Sequence, residues 1–130
     1  MPNAVVSQDA PSPIGPYSQA VAAGGFLFLS GQIALSPSTG EVVGATAAEQ
    51  AEQVLKNLQA VLSAAGATAS SVVKTTIFLT DLSDFSAVNE VYGKVFGASG
   101  ASPARSTVQV SALPRGVRVE IEAVAQLPGR

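Results

Sequence analysis

Arg105 is the residue whose type and position most need a chemical explanation. It lies in the stretch Ser-Pro-Ala-Arg-Ser-Thr-Val-Gln-Val, where a proline turn leads into the alternating pattern of a β-strand. The start of a strand that feeds a core usually carries small or β-branched residues, so an arginine here either lies on the surface or holds an anion. A guanidinium cannot act as a base at working pH, but its planar fork suits bidentate capture of a carboxylate.

Two glutamates near the end of the chain are the candidates for acid–base chemistry. Glu120 and Glu122 alternate with apolar residues in Val119-Glu-Ile-Glu-Ala, so both side chains fall on one face of a strand. If the last two strands pair as a hairpin around 114–116, Arg105 approaches one of these carboxylates diagonally. The pair is then either a cross-strand salt bridge on a solvated face or a small-molecule site in which a glutamate activates water or relays a proton.

Other polar residues leave two interpretations open. Tyr17, after a proline-rich loop, is either a packing residue or a site wall. The pair Ser30-Gly31 is either an ordinary turn or a place where a backbone N–H meets an anion. From the pattern alone, Asn89 is a surface residue of a helix.

The chain contains no histidine and no cysteine. These absences exclude a Ser-His-Asp triad, a Cys-His pair, disulfides and cysteine-ligated zinc, and they remove the commonest metal ligand. Catalysis would therefore use Arg, Glu, Asp, Lys, Tyr, Ser or Thr side chains, backbone groups and water. We expect no metal and no cofactor, and no phosphate-binding loop is present, since Gly24-Gly25 lacks the following helix and lysine.

Composition indicates one domain over residues 1–130. Of the 130 residues 47% are hydrophobic and 12% charged, well below the roughly 25% charged share of ordinary domains, which favours extra buried surface. A net charge of −2 with scattered lysines makes nucleic acid an unexpected partner. The first residues lack a basic segment followed by a long apolar run, and no run approaches a membrane span, so we expect a cytoplasmic protein without membrane contact.

The hydrophobic periodicity predicts an α+β fold with two helices packed on one face of a mixed sheet. Helices are predicted from the capping box Thr46-Ala-Ala-Glu49 to Gly66, and from Ser83 or Asp84 to Gly97. Strands are predicted at 18–23, 26–30, 72–80, 106–113 and 117–125, with hairpins at 24–25 and 114–116. Because strands 26–30 and 72–80 are apolar on both faces and two helices cover only one, we expect a closed homo-oligomer.

Four motifs resemble those of the reactive intermediate deaminase family, also called the Rid or YjgF-like family. They are Ile14-Gly-Pro-Tyr-Ser-Gln-Ala20, Leu29-Ser-Gly-Gln-Ile33, Asn89 in Val-Asn-Glu-Val-Tyr, and Pro103-Ala-Arg-Ser106 followed by Val119-Glu-Ile-Glu122. The resemblance spans nearly the whole chain. It implies a single Rid-like domain with a chorismate-mutase-like (bacillus type) fold and a homotrimer with sites between subunits.

The resemblance also implies an activity and roles for named residues. The activity is cofactor-free hydrolysis of 2-aminoacrylate-type enamines and their 2-imino acid tautomers to 2-keto acids and ammonia. Arg105 would bind the substrate carboxylate and Glu120 would position or activate water. Tyr17, Ser30, Gly31 and Asn89 would form the pocket, with the backbone of Thr107 where many members carry cysteine.

Two other functions compete with this one. The same arginine would serve a non-catalytic trimer that senses keto acids or other small metabolites. RNA cleavage or translation inhibition, claimed for relatives, is disfavoured by the acidic balance and the lack of histidine.

Overall fold

Six strands form one mixed sheet in the computed structural model of the protein, which describes residues 2–97 and 102–128. The strands are β1 (Asn3–Val5), β2 (Ala20–Ala23), β3 (Phe26–Gln32), β4 (Val72–Leu79), β5 (Ala104–Gln109) and β6 (Val119–Gln126). Their order across the sheet is β1-β2-β3-β6-β4-β5. The β4–β5 pair is parallel and the other pairs are antiparallel.

Two α-helices, α1 (Ala47–Ala64) and α2 (Phe85–Phe96), cover one face of this sheet. The predicted capping box is confirmed, because the Thr46 hydroxyl accepts from the Glu49 N–H at 3.1 Å and the Glu49 carboxylate accepts from the Thr46 N–H at 3.1 Å. Gly66 has a φ of +77°, which ends the α1 region at little steric cost. The α+β class and the two-helix layer are thus as predicted.

The core lies between the helices and the sheet. Leu27, Ile77 and Ile121 point from the strands into a cluster with the apolar stripe of α1, and each is fully buried. In the same layer, the Tyr92 hydroxyl of α2 shares a hydrogen bond of 2.6 Å with Thr75 of β4. This bond satisfies two buried hydroxyls at once and fixes α2 against the sheet.

The predicted hairpin between the last two strands is wrong. β4 lies between them, with Thr75 opposite Arg105 on one side and Phe78 opposite Glu120 on the other. A parallel pair needs a crossover connection, and helix α2 provides it between β4 and β5. The connection 110–118 is then long enough to cross β4 and reach β6. The predicted hairpin at 24–25 is confirmed, and β1 was not predicted.

The sheet face opposite the helices carries exposed apolar side chains and is uncovered by any described helix. It carries Phe28, which is 49% exposed, together with Phe26 and Val108. Phe78 of β4 lies on this face as well, beside Val108 and Glu120. The prediction that apolar side chains occur on both faces of strands 26–30 and 72–80 is therefore confirmed. Separately, no helix within residues 2–97 and 102–128 is both long enough and apolar enough to span a membrane.

Candidate active site

A cavity of about 470 Å³ opens where the end of β3, the start of β6 and two loops meet. The proline-rich loop 11–17 forms one wall and the turn 114–116 forms another. Its volume falls in the range usual for small-molecule sites. The lining residues are Pro11, Ser12, Ile14, Tyr17, Gln19, Ser30, Gly31, Gln32, Ile33, Leu35, Pro114, Arg115 and Glu120.

A β-bulge at Ser30-Gly31 forms one side of the cavity. The register between β3 and β6 pairs Leu29 with Ala123 but Gln32 with Ile121, so β3 carries one extra residue at this point. The Ser30 hydroxyl donates to the Ser18 carbonyl at 2.6 Å, and the Ser30 N–H donates to the Gln19 carbonyl at 3.0 Å. The lone pairs of the Ser30 oxygen therefore remain free to accept a hydrogen bond from a substrate or water.

Glu120 contacts the bulge with its carboxylate. A Cβ atom at Gly31 would overlap the Glu120 carboxylate oxygen and would lie 2.9 Å from its carboxyl carbon, so only glycine leaves room for this acid. Burial, and to a lesser degree the nearby Glu122 carboxylate, raise the pKa of Glu120 above its usual range. Among the described residues, no hydrogen bond or ion pair engages this carboxylate. It is a half-buried acid whose pKa lies closer to neutrality than that of an ordinary glutamate.

Gln19 holds the wall that faces Glu120. Its side-chain amide donates to the Pro11 carbonyl at 2.8 Å and to the Ser7 carbonyl at 3.2 Å, while its oxygen accepts from the Ser7 N–H at 2.6 Å. Since Gln19 is buried, these bonds fix the proline-rich loop against β2. Tyr17 is the last residue of that loop and is 53% exposed at the rim of the cavity.

Arg105 belongs to a second cleft, on the helix-covered side of the sheet. Its guanidinium donates to the Asn89 side-chain oxygen at 2.7 Å and stacks 4.9 Å from the Tyr92 ring centre and 5.3 Å from that of Phe85. The cleft has a volume of about 410 Å³ and is also lined by Ser102 and Pro103. The remaining N–H groups of a stacked guanidinium are directed for recognition of a planar anion.

The structure thus divides the predicted site residues between two clefts. Tyr17, Ser30, Gly31 and Glu120 share the first cleft, and Asn89 and Arg105 share the second. Within one chain a salt bridge between Arg105 and Glu120 or Glu122 does not form, because Arg105 shares the face of Thr75 and the glutamates the opposite face.

Thr107 lines neither cleft, and its hydroxyl is buried without a hydrogen-bond partner among the described residues. Gln19 and Arg115 line the first cleft but were not singled out from the sequence. The proximity of Gln19 to Glu120 depends on β6 lying next to β3, a non-local pairing that cannot be predicted from the local sequence, whereas Arg115 lies five residues before Glu120 in the chain. No group of three or more acidic, histidine or cysteine side chains arranged to hold a metal occurs in the described part of the chain.

Comparisons with known proteins agree over nearly the full chain. Residues 7–127 match the family model described as Endoribonuclease L-PSP. A relative from Myxococcus xanthus, Protein DfrA, is 60% identical over 94% of this chain and 93% of its own length. The mouse 2-iminobutanoate/2-iminopropanoate deaminase is 53% identical over 89% of this chain and 84% of its own length. The crystal structure of E. coli TdcF with bound serine superposes with a TM-score of 0.90 at 45% identity, covering 95% of this chain and 98% of that one.

Proposed function

Because this chain belongs to the reactive intermediate deaminase (Rid, YjgF-like) family, we propose that it hydrolyses 2-enamino and 2-imino acids to 2-keto acids and ammonia. The proposed substrates are 2-aminoacrylate, 2-iminopropanoate and 2-iminobutanoate. The observation that carries the proposal is the Glu120 carboxylate, unpaired among the described residues, half-buried and seated against Gly31 in a cavity of small-molecule size. The name of the mouse relative supports the same chemistry.

An imine needs little catalytic help, because its C2 carbon is already electrophilic. In the proposed reaction a water oxygen bonds to C2 of the iminium while Glu120 accepts a water proton. The protonated Glu120 then donates that proton to the amino nitrogen of the resulting carbinolamine. The C2–N bond breaks, the hydroxyl becomes the keto oxygen, and its proton leaves with the ammonia as ammonium.

The raised pKa of Glu120 suits both proton transfers, since an acid–base group works best with a pKa near the working pH. The Ser30 oxygen, with its own proton donated to Ser18, accepts from the attacking water or from the iminium N–H. Tyr17 and the rest of the loop 11–17 form part of the cavity wall around the substrate. No step requires a metal or a covalent nucleophile.

The substrate carboxylate is proposed to bind Arg105 of a neighbouring copy. One chain holds Arg105 and Glu120 on opposite faces of its sheet, so one small substrate cannot contact both. The uncovered apolar face of the sheet supports association between copies. We propose the chorismate-mutase-like homotrimer that the family resemblance implies, with each site formed by the Glu120 cleft of one protomer and the Arg105 cleft of the next.

The experiment generates the imine in place with an amino-acid oxidase and measures ammonia and keto acid release. Glu120→Gln is expected to lose about 10²-fold in rate, while Glu52→Gln, an exposed glutamate of helix α1 that lines neither cleft, stays near wild type. A wild-type protein that binds 2-oxobutanoate but does not accelerate imine hydrolysis would instead support the metabolite sensor. The description of the family model names an endoribonuclease, so the same protein samples are also assayed for cleavage of RNA.

A further inference from the structure

Arg115 is a second guanidinium at the cavity that holds Glu120. It lies in the turn 114–116, and its side chain is 43% exposed at the cavity wall. The Arg105 of the same chain lies on the far side of the sheet. Of the described residues that line this cavity, Arg115 is the one that carries a positive charge.

The backbone at Arg115 adopts a conformation that arginine does not favour. Its φ of 62° and ψ of 14° place it in the left-handed region, which costs a residue with a side chain roughly 1–2 kcal/mol. Glycine would occupy this position with less strain. A strained side-chain-bearing residue at the wall of a cavity motivates a functional hypothesis for that side chain.

Few of the Arg115 donors are used within the described chain. One guanidinium nitrogen donates to the Gly40 carbonyl at 3.3 Å, and the other terminal nitrogen lies 3.9 Å from the Glu41 carboxylate, whose side chain is 78% exposed. An exposed ion pair at this distance contributes only about 0–1 kcal/mol. A guanidinium has five N–H groups, so Arg115 keeps donors for a further anion and is held only weakly at its present position.

The cavity that Arg115 and Glu120 both line is larger than a three- or four-carbon acid. The cavity volume is about 470 Å³, and Ile33, Leu35 and Pro114 give it apolar walls. A substrate with its imine carbon at Glu120 would therefore run an aliphatic chain along these walls. The far end of that chain would meet a cation.

We propose that Arg115 is a specificity-determining residue that binds a terminal carboxylate on the substrate side chain, so that 2-imino dicarboxylic acids are substrates of this site. The proposal rests on the proposed deamination and names a substrate class for it. Arg115 exchanges its weak contact with Glu41 for a bidentate contact with the side-chain carboxylate. Arg105 of the neighbouring copy keeps the carboxylate next to the imine.

The test compares two substrates on the same variants. Amino-acid oxidases supply 2-iminoglutarate and 2-iminobutanoate, and kcat/KM is measured for each. In Arg115→Gln the ratio of kcat/KM for the dicarboxylic over the monocarboxylic substrate is expected to fall about tenfold or more, the usual scale for a lost charged hydrogen bond. Arg118→Gln, an exposed arginine outside the cavity lining, should keep the wild-type ratio.

Binding is measured separately, so that failure of the subsite and failure of deamination can be told apart. Calorimetry with 2-oxoglutarate and 2-oxobutanoate should show the same loss of preference in Arg115→Gln even if the wild-type protein hydrolyses no imine. Arg115→Gly, which relieves the left-handed strain and should fold at least as well, serves as the second variant. An unchanged preference between the two keto acids in both variants would overturn the proposal.

Discussion

The Glu120 carboxylate rests against a residue of β3 that has no side chain. The extra residue of the bulge brings Gly31 beside the acid, and the missing side chain leaves the space that the carboxylate occupies. Gly31 is therefore a positioning residue as well as a backbone element of the cavity. A substitution at Gly31 should therefore change the rate of catalysis more than the stability of the fold.

Gly31→Ala should lower the imine hydrolysis rate about 10²-fold with little loss of stability. The added methyl overlaps the far end of a flexible side chain, so the Glu120 carboxylate moves away at small cost to the fold. Rates and thermal unfolding are the measurements. The rescue is Gly31→Ala combined with Glu120→Asp, whose shorter side chain relieves the overlap, and the double variant should lose less than the two single losses together. A wild-type rate in Gly31→Ala would contradict this role.

Glu120→Gln should stabilise the protein increasingly as pH rises. Burial raises the pKa of Glu120, so the folded state favours its protonated form. Its contribution to stability is fully present below the unfolded pKa of about 4.3 and is lost as pH rises through the raised folded pKa. Urea unfolding of both proteins between about pH 4 and pH 7 measures the difference, which should be smallest at low pH. A difference that does not change with pH would show that burial does not perturb this carboxyl.

At the scale of elements, the structures that depend on local sequence could be predicted, whereas the pairing of distant strands could not. Helix α1 was predicted because its capping box, its apolar spacing and Gly66 all lie within one stretch of sequence. The neighbouring strands of β5 and β6 were not predicted, because their pairing depends on where α2 returns the chain. The division of the candidate site into two clefts follows from this pairing, which explains why the residue types could be selected from motifs while their arrangement could not.

Thr46→Ala should destabilise the protein by about 1 kcal/mol without changing the rate per folded molecule. The substitution removes the hydroxyl that accepts from the Glu49 N–H and leaves that donor at the end of α1 unpaired. Urea unfolding measures the loss, and Thr46→Ser, which keeps the hydroxyl, is the matched control. Equal stability in the alanine and serine variants would mean that the capping bond contributes nothing measurable.

At the scale of the whole molecule, the proposed function requires a partner copy, because Arg105 and Glu120 lie in different clefts of one chain. The face that carries Phe28 and Val108 is left exposed in one chain, while the Arg105 cleft opens on the other side of the sheet. An assembly that covers this apolar face and places the Arg105 cleft of one copy beside the Glu120 cleft of the next would bury the exposed side chains and complete each site. Activity should then depend on residues from two copies.

Mixing two inactive variants should restore activity. If each site takes Arg105 from one protomer and Glu120 from the next, trimers that combine Arg105→Ala and Glu120→Gln chains contain sites with both residues intact. The two variants are unfolded together, refolded and assayed, with each variant refolded alone as the control. Activity no higher than that of the separate variants, in trimers shown by native mass spectrometry to contain both chains, would place both residues in one chain's site.

The central position of β6 governs how the chain can fold as it leaves the ribosome. β6 is the last of the six strands to be synthesised, yet β3 and β4 both pair with it and not with each other. Until residues 119–126 emerge, the nascent sheet is split into two halves, with apolar residues such as Leu27 and Ile77 lacking the neighbour that later joins them. The two halves of the sheet can therefore join only once this last strand is available, and we expect them to be prone to aggregation until then.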